Sequence, residues 1–220
     1  MNRFDAAQYR DRQLQIAKQV AEFPLVTTPK LVGAVDMHLF GEMGVAVALT
    51  MSLPELEILE IEYATGDLAI PYIPGYLSFR EAPLCLEAIR RLESPPDLLL
   101  VDGHGKAHPT SCGLACHIGV EADLPTIGIA KGKLVGEYVE PGIGKGEVEA
   151  LLVDGVRVGS VVRTREGVRP VFVSVGHRIT LTQATSWTLR LARRFRLPEP
   201  SHKAHKLASA RARQLRGTGP

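Results

Sequence analysis

Cysteine is scarce in this chain. Cys85, Cys112 and Cys116 are the only three among 220 residues, too few and too unevenly placed for a disulfide framework, which suits a reducing compartment. Cys112, Cys116 and His117 also lack the paired spacing of a structural zinc site, so Cys116 and His117 are expected to pack within a helix. No run of 18 apolar residues occurs, and the opening MNRFDAAQYRDRQ is too polar for a secretory core. A soluble cytoplasmic protein with no membrane segment is expected. Internal repeats and long linkers are missing too. With 45% hydrophobic and 23% charged residues, one domain spanning residues 1–220 with an ordinary core is expected. The net charge of +2 is too small to imply nucleic acid by itself, but it hides an asymmetry: from Arg190 onward nine Lys and Arg side chains face a single acid, Glu199. Such a basic tail could neutralise backbone phosphates, and is equally compatible with a solvated helix face.

The patterning gives an order of elements. Asp5 to Phe23, with Leu14, Ile16, Ala17 and Val20 among charges, reads as an amphipathic helix ended by Pro24. Leu31–Val35, Val45–Met51 and Leu56–Tyr63 read as strands, with gaps short enough for antiparallel hairpins. Then the period changes. Phe79–Leu92 reads as a helix, Asp97–Val101 as a buried strand, Cys112–Glu121 as a helix and Thr126–Ala130 as another strand, which implies parallel crossovers. Three antiparallel strands followed by parallel crossovers, flanked by helices, is the order of an α/β, ribonuclease H-like mixed sheet. A hairpin at Val148–Val153 and Arg157–Arg163, a short strand at Val171–Ser174, and helices at Thr182–Arg194 and Ser201–Arg216 look like additions to that core. The architecture alone assigns no function, since sugar kinases and actin-like ATPases share it.

Asp36, Glu81 and Asp102 are the residues most suggestive of chemistry. Asp36 ends or interrupts the apolar run LVGAV, Glu81 lies in the helix after Pro71–Gly75, and Asp102 closes DLLLV at a glycine turn. Singly, such residues are commonly turn formers, helix caps or solvated charges. In the predicted order, Asp36 and Asp102 fall on neighbouring parallel strands, and Glu81 can lean over the same edge. Three carboxylates that close repel one another without cations. Mg²⁺ takes oxygen ligands and can assist phosphodiester cleavage, so a nuclease is the first reading.

The segments PYIPGYLSFREAPL, LLLVDGHGKAHP, GLACHIGV and LPTIGIAKGKLVG, together with LVGAVD, GHRI and LPEP, resemble endonuclease V, the deoxyinosine-directed DNA repair nuclease, in order and spacing over nearly the whole chain. The resemblance implies that Asp36, Glu81 and Asp102 hold metal, Mg²⁺ with Mn²⁺ as a substitute. It matches His205 to a further residue of the site, with His202 as a nearby competitor, and Lys131 to a lysine near the scissile phosphate. Tyr72 and Ile73, stiffened between Pro71 and Pro74, become a wedge that replaces lost stacking while a nucleotide rotates out of the duplex. Gly75, Gly103, Gly105, His108 and Leu134 become the pocket for the rotated base, whose O6 acceptor and N1–H donor backbone groups can read. The roles of His104 and His108 stay open. Two departures from the family pattern are Thr110, where many members are basic, and Gly132, where a larger residue is frequent.

The implied activity is hydrolysis of the second phosphodiester 3′ to the lesion by a monomer acting on damaged DNA, double- or single-stranded, leaving 5′-phosphate ends. Alternatives are an inosine-specific endoribonuclease, an ATPase or sugar kinase using Gly103–Gly105 for phosphate, and a non-catalytic nucleic-acid binder.

Overall fold

In the computed structural model of this chain, which describes residues 6–68 and 70–217, helix α1 (Ala6–Gln19) precedes three strands, β1 (Leu31–Phe40), β2 (Met43–Ser52) and β3 (Ile58–Asp67). Next come α2 (Leu77–Arg90), β4 (Leu98–Asp102), α3 (Leu114–Ala122) and β5 (Thr126–Ala130). Strands β6 (Val148–Val153), β7 (Val156–Val162) and β8 (Val171–His177) are followed by α4 (Leu181–Leu191) and α5 (Glu199–Gly217). The eight strands form one sheet in the order β3-β2-β1-β4-β5-β8-β7-β6. β1, β2 and β3 pair antiparallel, and β1, β4 and β5 pair parallel. This is the expected ribonuclease H-like mixed sheet.

Side-chain alternation sorts the central strands between two helical layers. Val32, Ala34, Leu98 and Leu100 face a core shared with Trp187 and Leu191 of α4 and Ala204 of α5. Val35, Leu99 and Val101 face the other way, against Ala82, Cys85 and Ile89 of α2 and Leu114 and Ile118 of α3. Burial on both faces explains why β4 and β5 are almost wholly apolar. A fully buried Leu or Ile contributes about 1.5–3 kcal/mol, so these strands are a rigid base for whatever their ends carry.

Two boundaries differ from the sequence reading. β1 does not stop near Val35 but continues to Phe40, because β2 pairs with it along its whole length, Asp36 opposite Val47. The Val148–Val162 hairpin is added to the core as expected, through the sheet itself: β8 runs antiparallel to β5 and β7 to β8. Helix α1 ends at Gln19, ahead of Pro24, because tertiary bonds take over the backbone there. Ala21 N donates to His177 Nδ1 (3.2 Å), and Arg178 N donates to Ala21 O (2.7 Å). On α1 it is Gln13 and Ile16 that are buried while Leu14 is exposed; Asp5, the expected start of this helix, lies outside the described residues. The three cysteines are free and buried, and Cys116 and His117 pack within α3. Among the described residues no helix is long and apolar enough to cross a membrane.

Candidate active site

The parallel register of β1 and β4 runs through Val35 opposite Val101, so the next residues, Asp36 and Asp102, lie side by side. Alternation turns both toward the layer of α4 and α5, the side that Ala34 and Leu100 also face. Helix α5 packs on β1 and β2 and delivers His205, whose Nδ1 lies 2.8 Å from Asp36 Oδ2. The other Asp36 oxygen accepts from Met37 N at 2.8 Å. One ligand atom from each of Asp36, Asp102 and His205 lies within 4.8 Å of the other two. Two carboxylate oxygens and an imidazole nitrogen at that spacing suit a divalent cation.

Glu81 reaches the same strand ends from α2, in the opposite layer, and stands outside that three-residue group. It is close enough to be strongly perturbed. Burial first, then the charges of Asp36 and Asp102, push its pKa from 4.5 up to about 8, with Arg80 offsetting part of the effect. Burial and Asp36 also raise Asp102, against the opposing pull of Lys131 and His205. The hydrogen bond to Asp36 raises the His205 pKa despite partial burial of the ring. Such mutual destabilisation of carboxylates is what a bound cation relieves, so the residues present fit a divalent metal.

Lys131 directly follows β5, and its ammonium pairs with Asp102 Oδ2. The structure therefore brings Asp36, Asp102, His205 and Lys131 together, with Glu81 alongside. His202, the competitor of His205, instead stacks on Phe195 with ring centroids 3.6 Å apart.

The remaining predicted residues occupy two loops. Tyr72 is 64% exposed in the segment between β3 and α2, and Ile73 beside it is partly buried. Gly75 takes φ +84°, a conformation that favours glycine, with open space where a side chain would be. In the loop after β4, Gly103 N donates to Ile129 O (3.2 Å). Gly105 N donates to Ser174 Oγ (2.9 Å), and a Cβ on Gly105 would stand 2.0 Å from Val175 O. The close approach at Gly105 is thus to β8. Leu134 is exposed. His104 Nε2 lies 3.0 Å from Gly132 O, and burial lowers the pKa of this ring. Burial, and then the charge of His104, lower that of His108 to about 4. Thr110 donates its backbone N–H to His108 Nδ1 (3.3 Å), and its Oγ1 lies 3.0 Å from the same ring nitrogen.

One residue escapes the sequence reading. Gln13, almost fully buried on α1, donates through Nε2 to Gly75 O (3.1 Å) and to Cys112 O (3.0 Å). It ties the Tyr72 segment to the loop that enters α3. Its only signal in the sequence is the three-residue spacing from Ile16, which puts both on one helix face.

The sequence model of the family described as Endonuclease V matches residues 14–206, a span containing every candidate residue except Gln13. Endonuclease V of Geotalea uraniireducens is 47% identical over 211 residues, covering 96% of this chain and 90% of its own. Among solved structures, Endonuclease V from Streptomyces avermitilis superposes with a TM-score of 0.92 at 36% identity, covering 97% of this chain and 95% of that one. Endonuclease V from Ciona intestinalis, in complex with a 24-mer DNA containing an inosine followed by a ribo-adenosine, superposes with a TM-score of 0.82 at 25% identity, covering 95% and 98%. This chain belongs to the endonuclease V family.

Proposed function

We propose that the protein is a divalent-metal-dependent endodeoxyribonuclease that recognises deoxyinosine and hydrolyses the second phosphodiester on its 3′ side, leaving 3′-hydroxyl and 5′-phosphate ends with the damaged base still attached. It works as a single-domain monomer on double- or single-stranded DNA. The observation that carries this reading is the convergence of Asp36, Asp102 and His205 within 4.8 Å, beside a Glu81 carboxyl whose pKa its neighbours lift to about 8.

Asp36, Glu81, Asp102 and His205 hold the cation, Mg²⁺ with Mn²⁺ as a substitute. Bound there, the cation supplies Lewis acidity toward the phosphodiester and offsets charge that builds on its oxygens. Lys131 adds a second positive charge beside Asp102, where the scissile phosphate comes to lie. Tyr72 and Ile73 push between bases as a wedge, and the Gln13 bond to Gly75 O limits how far that loop yields. Gly75, Gly103, Gly105, His108 and Leu134 receive the extruded base. The N–H groups of Gly103 and Gly105 are already bonded to Ile129 O and Ser174 Oγ, so other backbone groups of these loops match hypoxanthine, with its O6 acceptor and N1–H donor, and leave polar groups unpaired with adenine at a cost of about 1–3 kcal/mol per group.

Inosine-containing RNA is the second reading, favoured by the ribo-adenosine that follows inosine in the Ciona intestinalis complex. The deciding experiment compares an inosine-containing duplex, an unmodified duplex and an inosine-containing RNA, each with Mg²⁺ and with EDTA. Cutting of the inosine duplex alone, and only with Mg²⁺, is expected. Equal cutting of the unmodified duplex refutes lesion recognition, and cutting that survives EDTA refutes the metal requirement.

A further inference from the structure

Arg196 lies in the link between α4 and α5, within the basic stretch that reads in sequence as a phosphate-binding or solvated surface. Its guanidinium is directed at backbone instead. Nε donates to Arg169 O (2.8 Å), and Nη2 donates to Pro170 O (2.7 Å) and Lys131 O (2.6 Å). The last contact holds the main chain of the residue whose ammonium reaches Asp102. The next residue, Gly132, has nothing within 4 Å of where a Cβ would stand, and its carbonyl lies 3.0 Å from His104 Nε2, so hydrogen bonds to main-chain carbonyls and not packing of a residue-132 side chain hold the chain there. The link is itself fastened. Thr164 Oγ1 donates to Arg196 O (2.5 Å), and Arg194 N donates to Oε1 of Glu199 (2.9 Å), the first residue of the helix that carries His205.

We infer that Arg196 is a positioning residue for Lys131, clamping its carbonyl so that the ammonium stays at Asp102 and the scissile phosphate. This rests on the reading of Lys131 as a phosphate-facing cation. A lysine reaches its target on a flexible four-carbon stem, so fixing its backbone removes one of the two sources of spread in where the charge falls. The planar guanidinium of arginine can grip several carbonyls at once, which an ammonium does less well. Arg196 also borders a cleft of ≈ 280 Å³ shared with Lys131, Lys133, Tyr138 and Arg169, so direct contact with substrate is the competing role.

The test is single-turnover cleavage of an inosine duplex by the wild type, K131A, R196A, R196K and the K131A/R196A double variant, with thermal midpoints measured alongside. R196A is expected to slow cleavage about 10–100-fold while changing KM by less than about twofold. R196K should recover part of the rate, and adding R196A to K131A should cost nothing more. The same fold-loss in both backgrounds, or a loss confined to KM, overturns the inference while leaving Lys131 in its role. K131A cutting at the wild-type rate refutes the role of Lys131 and this inference with it. If R196A melts below the assay temperature, R196K and R196Q carry the same comparison.

Discussion

His205 Nδ1 lies 2.8 Å from Asp36 Oδ2, a contact between the last helix and the first strand of the chain. It closes a group whose third member, Asp102, is held by parallel pairing of β1 with β4. Two members come from rigid central strands, but the third depends on how α5 seats. The histidine is therefore the adjustable side of the site.

Replacing His205 with Ala removes one proposed ligand without touching the strands. H205A is expected to raise the Mg²⁺ concentration for half-maximal cleavage about 10–100-fold, while binding of an inosine duplex in EDTA stays at the wild-type level. A metal titration of the cleavage rate measures the first and a filter or fluorescence titration the second. An unchanged metal requirement would remove His205 from the cation site.

Glu81 gives the metal-free protein a pH signature. Its folded pKa of about 8 lies above the ordinary 4.5, so the stability it contributes is fully present below pH 4.5 and is lost as pH rises through 8. Gln in its place stays neutral throughout. In EDTA, E81Q is expected to match the wild type near pH 4.5 and exceed it above pH 8 by roughly 1–2 kcal/mol once partial solvation is allowed for, or about 2–8 °C in thermal midpoint. Saturating Mg²⁺ should reverse the order, because the wild type then gains a bound ion that E81Q holds poorly. Parallel curves for the two proteins from pH 4.5 to 8 in EDTA would sink the idea.

The sequence makes the order of elements legible because strands buried on both faces, such as Thr126–Ala130, leave continuous apolar runs, and helices such as α2 leave a 3.6-residue period. It misleads at Asp36, where a charge interrupts an apolar run while hydrogen bonding to β2 carries the strand on to Phe40. His202 and His205 are three apart on one helix, close enough in angle that periodicity cannot separate them. The Phe195 ring, which stacks on His202, does. Gln13 and Arg196 are hidden for a common reason. Their partners are main-chain carbonyls far along the chain, and such a bond demands no particular side chain at the other end.

The exposed Tyr72 should matter most where a partner strand must be displaced. Y72A is expected to weaken binding of an inosine duplex about 5–150-fold, the equivalent of about 1–3 kcal/mol of stacking. An inosine-containing single strand, with no opposite base to push against, should lose much less. Equilibrium binding to both substrates in EDTA tests this, and equal losses would mean that Tyr72 is an ordinary contact and not a wedge.

Gln13 should act on the same step from beneath the surface. Q13A leaves the carbonyls of Gly75 and Cys112 without the donor they share, at a cost of about 1–3 kcal/mol and a fall of roughly 2–12 °C in thermal midpoint. Most of that loss is expected even without substrate, since the orphaned carbonyls belong to the folded state. What separates a tether from a mere core contact is its coupling to the wedge. A tether that stiffens the segment carrying Tyr72 can help only while there is a tip to press into the duplex. Q13A should therefore weaken binding of an inosine duplex in the wild-type background and add little to Y72A. Two losses that simply add would place Gln13 in the packing of α1 alone.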